Sequence, residues 1–408
     1  MVACGGRPAP PVVPMTAVPP VEAGTIIRVG IVVDRDSALV GASGPFNVLT
    51  GDSVAIGAGD EGAPWTVRAG GTGRLVLRTW QGEEHEAASG VIVRPVGDAL
   101  LMIGNRRFRG AAWLVRGTAG VTVVNRVPIE DYLMSVVALE LGFRAPSDKE
   151  AVKAQAVAAR TYVARYRGRR EALGFDVYAT DADQVYTGMD SEFPEVADAV
   201  RATTGEILTY EGRPIQALFH STCGWSTEAV EQVWLNSAPV PYLQAVSDRS
   251  GDGPDDYYCR ISPRFRWREE WSGDALGATF ARTLPAVLGT PVPDVGRVTD
   301  VRVGRTSPTG RAAELVVTST TGTWSVPSNR IREVLRTSAG SQLLSTLFQL
   351  YVERQGDGTV GRLVAAGAGY GHGVGMCQFG AVGRARAGQD YRTILATYYR
   401  GTTLERAY

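Results

Sequence analysis

At Pro128 the hydrophobic rhythm of this chain changes. From Ile26 to Val124, strand-length apolar runs such as "IIRVGIVVD", "RLVLRTW", "GVIVRPV" and "VTVVN" alternate with glycine and aspartate turns. That spacing predicts an all-β section, with a hairpin turning about Gly104-Asn105. Beyond Pro128 the period becomes helical. Ile129, Leu133, Val136 and Val137 share one stripe, Glu130 and Asp131 lie in the first turn, and Gly142 is a stop signal. "SDKEAVKAQAVAARTYVARYRGRREALG" predicts a second helix opened by a Ser147–Glu150 capping box. Its stripe of Val152, Ala156, Ala159, Val163 and Tyr166 is small enough to let another helix approach closely.

Further helices are predicted at about 192–203 and 328–336, and a second β section at about 297–326. The fold class expected is therefore α+β. A β-rich N-terminal section (about 25–125) precedes a mixed helical and β core (about 126–408). That core carries a β-rich insertion at about 290–340 and ends in a glycine-rich motif.

Acidic and basic residues number 42 each in 408, and this balance argues against a nucleic-acid partner. Lys149 and Lys153 are the only lysines, so nearly all positive charge is arginine, which we read as codon bias. No apolar run reaches the length of a membrane span. Residues 1–24 are rich in proline and small residues and read as a tether. "VAC" followed by "GG" is similar to the end of a bacterial lipoprotein signal. We read it as a truncated lipobox, with Cys4 as the lipid anchor and sole membrane contact.

One residue breaks the first helical stripe. Glu140 continues the apolar face at the helix end, where the dipole disfavours its charge. Two readings follow. Desolvation and the dipole would raise its pKa and make it a general acid. Alternatively it pairs with Arg160 or Arg144 and only ties helices together.

His220 in "ALFHSTCGWS" and His372 in "GYGHGVGMCQFG" are the other unusual titratable residues, the latter bracketed by glycines that permit close backbone approach to a ligand. Cys223 and Cys259 are read first as a disulfide of an exported protein; second, His220-x-x-Cys223 has the short spacing of two zinc ligands, without a second such pair. Free thiols are the third reading, and a Cys-His nucleophile lacks an orienting partner.

Six blocks in order resemble the stage II sporulation protein D (SpoIID/LytB) family of peptidoglycan-acting proteins. They are "VPIEDYLMSVVALEL", "AVKAQAVAARTYV", "DQVYTG", "ALFHSTCGWSTEAVEQVW", "PYLQAVSD" and "GYGHGVGMCQFGAVGRARAGQDYRTILATYYRGTTL". The resemblance implies a lytic transglycosylase of the cell envelope, exported to the periplasm or beyond. Such an enzyme cuts the N-acetylmuramic acid β-1,4 N-acetylglucosamine bond of glycan strands, stripped of peptides for the sporulation member, and leaves 1,6-anhydro ends. It implies Glu140, in the V-V-x-x-E helix, as the acid and base, with no cofactor required.

It further implies Arg160, Gln184, Tyr186, His220, Ser221, His372 and Gln378 as substrate-groove residues. Some members are implied to enhance a cell-wall amidase, and some to carry zinc beside the equivalent of His220 with cysteine partners, here His220, Cys223 and Cys259. Two positions depart from the pattern: Trp225 replaces a glycine and either adds a face for sugar stacking or merely fills space, and Cys377 stands where serine is common.

Overall fold

The computed structural model describes residues 22, 24–143, 145–289 and 294–408. Cys4, most of the tether and Arg144 lie outside the described residues. The chain forms two compact units, and the division falls at Gln216/Ala217, inside the stretch read as one core. One unit runs to Gln216 and takes back Leu404–Tyr408, and the other is Ala217–Thr403. The fold is mixed α+β with a β-rich N-terminal region, as expected.

In the first unit the period-2 section builds two sheets. In the seven-stranded one, Ile26–Arg35 lies between Val177–Tyr178 and Val121–Pro128, followed by Ala111–Arg116, Val91–Pro95, Phe46–Leu49 and Ala55–Gly59. The six-stranded one includes the hairpin Leu101–Ile103 and Arg106–Phe108, which turns at Gly104-Asn105. Strand Val121–Pro128 runs straight into helix α1 (Ile129–Glu140), so the sheet sets the direction of the helix. Ile129, Leu133, Val136 and Val137 are buried. At about 1.5–3 kcal/mol for each such side chain, their burial outweighs the cost of bringing a carboxyl into the same face.

Helix α2 (Lys149–Tyr166) packs against α1 and against α3 (Pro194–Ala202) through buried alanines. The capping box expected from Ser147 does not form. A 3-10 turn, Pro146–Asp148, precedes the helix, and α2 begins without a side-chain cap.

The second unit contains α4 (Val230–Val233), α5 (Gly273–Leu288), α6 (Ile331–Val334), α7 (Gln378–Arg386) and α8 (Tyr391–Tyr398). Two three-stranded sheets accompany them. Arg266–Ser272, Val360–Ala368 and Phe348–Arg354 form one, and Val298–Thr306, Ala312–Ser319 and Thr323–Pro327 the other. Helix α5 has no counterpart among the sequence expectations. Gly273, Gly277 and Pro285 disguise it, but Leu276, Phe280, Leu284 and Val287 form a helical stripe buried in this unit's core. Tertiary packing overrides weak propensity here.

A candidate active site and a buried thiol cluster

Glu140 is the last residue of α1 and is 8% exposed. The helix stops just beyond it. The Leu141 and Gly142 amides both donate to Val137 O at 3.1 Å, and Gly142 takes the left-handed φ of 71° that ends helices. No basic side chain occupies the last turn. The Val185 backbone N–H donates to Glu140 Oε1 at 3.3 Å, which orients the carboxyl.

Three residues expected in the substrate groove hold this arrangement from behind. Gln184 and Tyr186 flank Val185, and both are buried. Gln184 Oε1 accepts from the Tyr132 hydroxyl at 3.0 Å while its Nε2 donates to Ala159 O at 3.4 Å. The Tyr186 hydroxyl donates to Asn125 Oδ1 at 2.8 Å, and its ring lies 5.0 Å from that of Tyr132.

Arg160 does not pair with Glu140. Its fully buried guanidinium grips both oxygens of Glu130 at 2.8 Å and donates to Glu206 O at 3.1 Å. Helical spacing told which face each residue occupies, but not which acid the arginine would reach. These three side chains position the 183–188 loop and the root of α1, and with them the carboxyl of Glu140.

The remaining acid of the loop, Asp183, is consumed locally. It accepts from Tyr178 N, Tyr162 Oη and Arg170, and burial, the largest effect on it, raises its pKa.

The second unit holds the other expected site residues. A parallel bridge pairs Phe219 with Met376 and His220 with Cys377, so the "HSTC" and "GMCQ" motifs lie side by side. His220 Nδ1 donates to Val374 O at 3.1 Å, and its buried Nε2 has no hydrogen-bond partner among the described residues. His372 sits 5.5 Å away, ring to ring, and Trp234 lies 5.2 Å from it. Both His372 nitrogens serve the backbone: Nε2 donates to Phe219 O at 3.0 Å, and Nδ1 accepts from Val374 N at 3.1 Å. Burial holds its pKa well below the ordinary value, assisted by His220, Arg332 and Arg311.

The glycines around His372 were expected to admit a ligand. Neighbouring protein fills that space instead: a Cβ on Gly371 would lie 2.9 Å from His220 Cβ, one on Gly373 2.7 Å from the Arg311 guanidinium carbon, and one on Gly375, whose φ is 71°, 2.0 Å from Leu218 O. Ser221 and Gln378 are also buried, and the Phe379 amide donates to Ser221 O at 3.0 Å. Trp225 lines an open cavity of about 500 Å³ with Trp267 and Phe348, a face of the kind on which sugar rings stack.

The cysteines depart most from expectation. Cys223, Cys259 and Cys377 are buried free thiols, so the Cys223–Cys259 disulfide is not formed. Their sulfurs and a carboxylate oxygen of Asp248 all lie within 4.8 Å of one another. Burial opposes ionisation of Cys377, but hydrogen bonds from Cys223 and Cys259 hold its pKa well below the ordinary value. The amides of Cys223 and Gly380 also donate to its sulfur, at 3.1 and 3.2 Å. Burial pushes Cys223 up, and pushes Asp248 up to about 7.

A zinc ion of the kind the resemblance implies therefore finds suitable donors. The set is Cys223, Cys259, Cys377 and Asp248, and it does not include His220. Spacing along the chain suggested His220, but it is not among the donors that lie within 4.8 Å of one another, and the fold brings in Asp248 and the distant Cys377 instead.

Comparison with known proteins agrees with the six-block pattern. The family model described as Stage II sporulation protein matches residues 118–210, which include α1, α2 and the 183–188 loop. The stage II sporulation protein D of Bacillus subtilis is 32% identical over 306 residues, covering 71% of this chain and 78% of that protein. The chain belongs to the stage II sporulation protein D family. An uncharacterised protein of Brachyspira hyodysenteriae is 34% identical over 73% of this chain and 72% of its own length. The amidase enhancer of B. subtilis is 31% identical over 62% of this chain but only 38% of its own length. A domain of unknown function, DUF8618, matches residues 252–375 of the second unit. No helix among the described residues is long and apolar enough to cross a membrane.

Proposed function

We propose that this family member is a lytic transglycosylase of the cell envelope, acting on peptidoglycan glycan strands with Glu140 as its single acid and base. The observation that carries this reading is the Glu140 carboxyl, buried at the end of an apolar helix face and oriented by the Val185 N–H. An ordinary glycosidase needs two carboxylates. Asp183, the acid nearest in the loop, is bound up in three structural interactions.

A lytic transglycosylase needs one. The protonated carboxyl gives its proton to the leaving O4 as the C1–O4 bond breaks. The resulting carboxylate takes the proton of the muramic acid 6-hydroxyl as O6 closes on C1. Protons balance, no water is consumed, and an anhydro end remains. The Val185 amide keeps one carboxyl oxygen in place through both steps, so little reorganisation opposes the reaction.

A second reading is favoured by the amidase enhancer relative: a glycan-binding protein that stimulates a cell-wall amidase without cutting strands. Peptide-free glycan strands separate the two. Incubation followed by mass spectrometry is expected to yield new anhydro ends. Strands bound but left intact would favour the enhancer, and new reducing ends would mean hydrolysis and overturn the single-carboxyl mechanism.

A further inference from the structure

We propose that Cys223, Cys259, Cys377 and Asp248 form a tetrahedral structural zinc site in the second unit. Every group belongs to Ala217–Thr403, so the inference stands apart from the Glu140 reading and survives its failure.

Geometry is the first argument. A tetrahedral zinc with bonds of about 2.3 Å to sulfur and about 2.1 Å to oxygen has ligand–ligand edges of about 3.6–3.8 Å. Cys223 Sγ lies 3.5 Å from Cys259 Sγ and 3.6 Å from Asp248 Oδ2. These two edges already match those that one zinc ion imposes, and all four donors lie within 4.8 Å of one another. A disulfide would use two sulfurs at about 2.05 Å and leave the third thiol and the carboxylate packed against it.

The surroundings are the second argument. Metal thiolates are held by backbone N–H groups and second-layer partners. Here Cys377 Sγ accepts from the Cys223 and Gly380 amides, the latter at the start of α7. Asp248 Oδ2 accepts from Cys259 N at 3.1 Å, and its Oδ1 from Tyr398 Oη at 2.7 Å and Arg384 Nη2 at 3.2 Å. Three thiolates and a carboxylate around a divalent ion leave excess negative charge. Arg384 touches Asp248 directly, and the fully buried Arg311 donates to Cys223 O at 2.8 Å.

All four donors are buried, which closes the sphere to a substrate and marks a structural site rather than a catalytic one. Bound there, zinc would staple the His220–Cys377 bridge to the 248–259 segment and to α7.

The full chain, purified under reducing conditions and reconstituted with zinc, is expected to hold about one ion per chain and to lose thermal stability with a chelator. The cobalt-substituted protein should show thiolate-to-metal charge transfer and the intense visible bands of a tetrahedral ion. Cys377→Ser should abolish both signals, and His220→Ala should keep them. Substoichiometric metal, an octahedral cobalt spectrum, or a native Cys223–Cys259 disulfide would overturn the site. So would binding that survives Cys377→Ser but is lost in His220→Ala. The wild-type cobalt spectrum decides the matter even if a variant misfolds.

Discussion

Arg160 holds both carboxylate oxygens of Glu130, Nε to Oε1 and Nη2 to Oε2, each at 2.8 Å. The pair joins the first turn of α1 to the middle of α2 and thereby fixes the helix that carries Glu140 at its other end.

Arg160→Met should therefore act on stability. Removing one partner of a buried pair costs about 3–5 kcal/mol, and the low end applies because Glu130 is partly exposed. Urea denaturation should show this loss. A substrate-binding arginine would instead raise KM and leave the denaturation midpoint where it was.

Tyr132→Phe removes the hydroxyl that bonds to Gln184 and loosens the peptide presenting the Val185 amide. We expect about 1 kcal/mol less stability and a several-fold lower kcat with KM unchanged. A change confined to KM would mean that the loop contacts substrate instead of orienting Glu140.

Gly375→Ala places a methyl group 2.0 Å from Leu218 O at a φ of 71°. Neither the positive φ nor the backbone oxygen can give way cheaply. A loss of about 3 kcal/mol or more is expected, read as a lower unfolding midpoint of the full chain. A variant as stable as wild type would show that Gly375 serves something other than close backbone packing.

Stability should also fall in acid through His372. Burial depresses its folded-state pKa, and His220, Arg332 and Arg311 act in the same direction. A group depressed in this way stabilises above its unfolded pKa, and that contribution is lost as pH falls below it. From about pH 7.5 to about pH 5.5 the loss is about 1.4 kcal/mol, taking about 6.5 for the unfolded chain. His372→Asn should flatten this part of the pH dependence in denaturation experiments. An unchanged slope would assign the acid sensitivity to other groups.

Local pattern carried the elements whose causes are local. The alternating runs, the Gly104-Asn105 hairpin, the α1 stripe and the misplaced Glu140 were all legible because propensity, turn chemistry and burial agreed there. Helix α5 was hidden because its glycines and Pro285 conflict with a packing face that only the finished core explains. The partner of Arg160 depends on the rotation of α2 against α1, which a single-helix pattern does not contain. The thiol cluster was least legible, since Cys223, Asp248, Cys259 and Cys377 meet only after strands distant in sequence pair in parallel.

Glu140→Gln tests the central claim most directly. The substitution keeps shape and an oxygen for the Val185 amide, and it removes the proton donor and acceptor. On peptide-free glycan strands the wild-type protein should generate 1,6-anhydro ends. The variant, with an unchanged unfolding midpoint and retained strand binding, should generate them at least about 100-fold more slowly. Undiminished anhydro products from the variant would contradict the account.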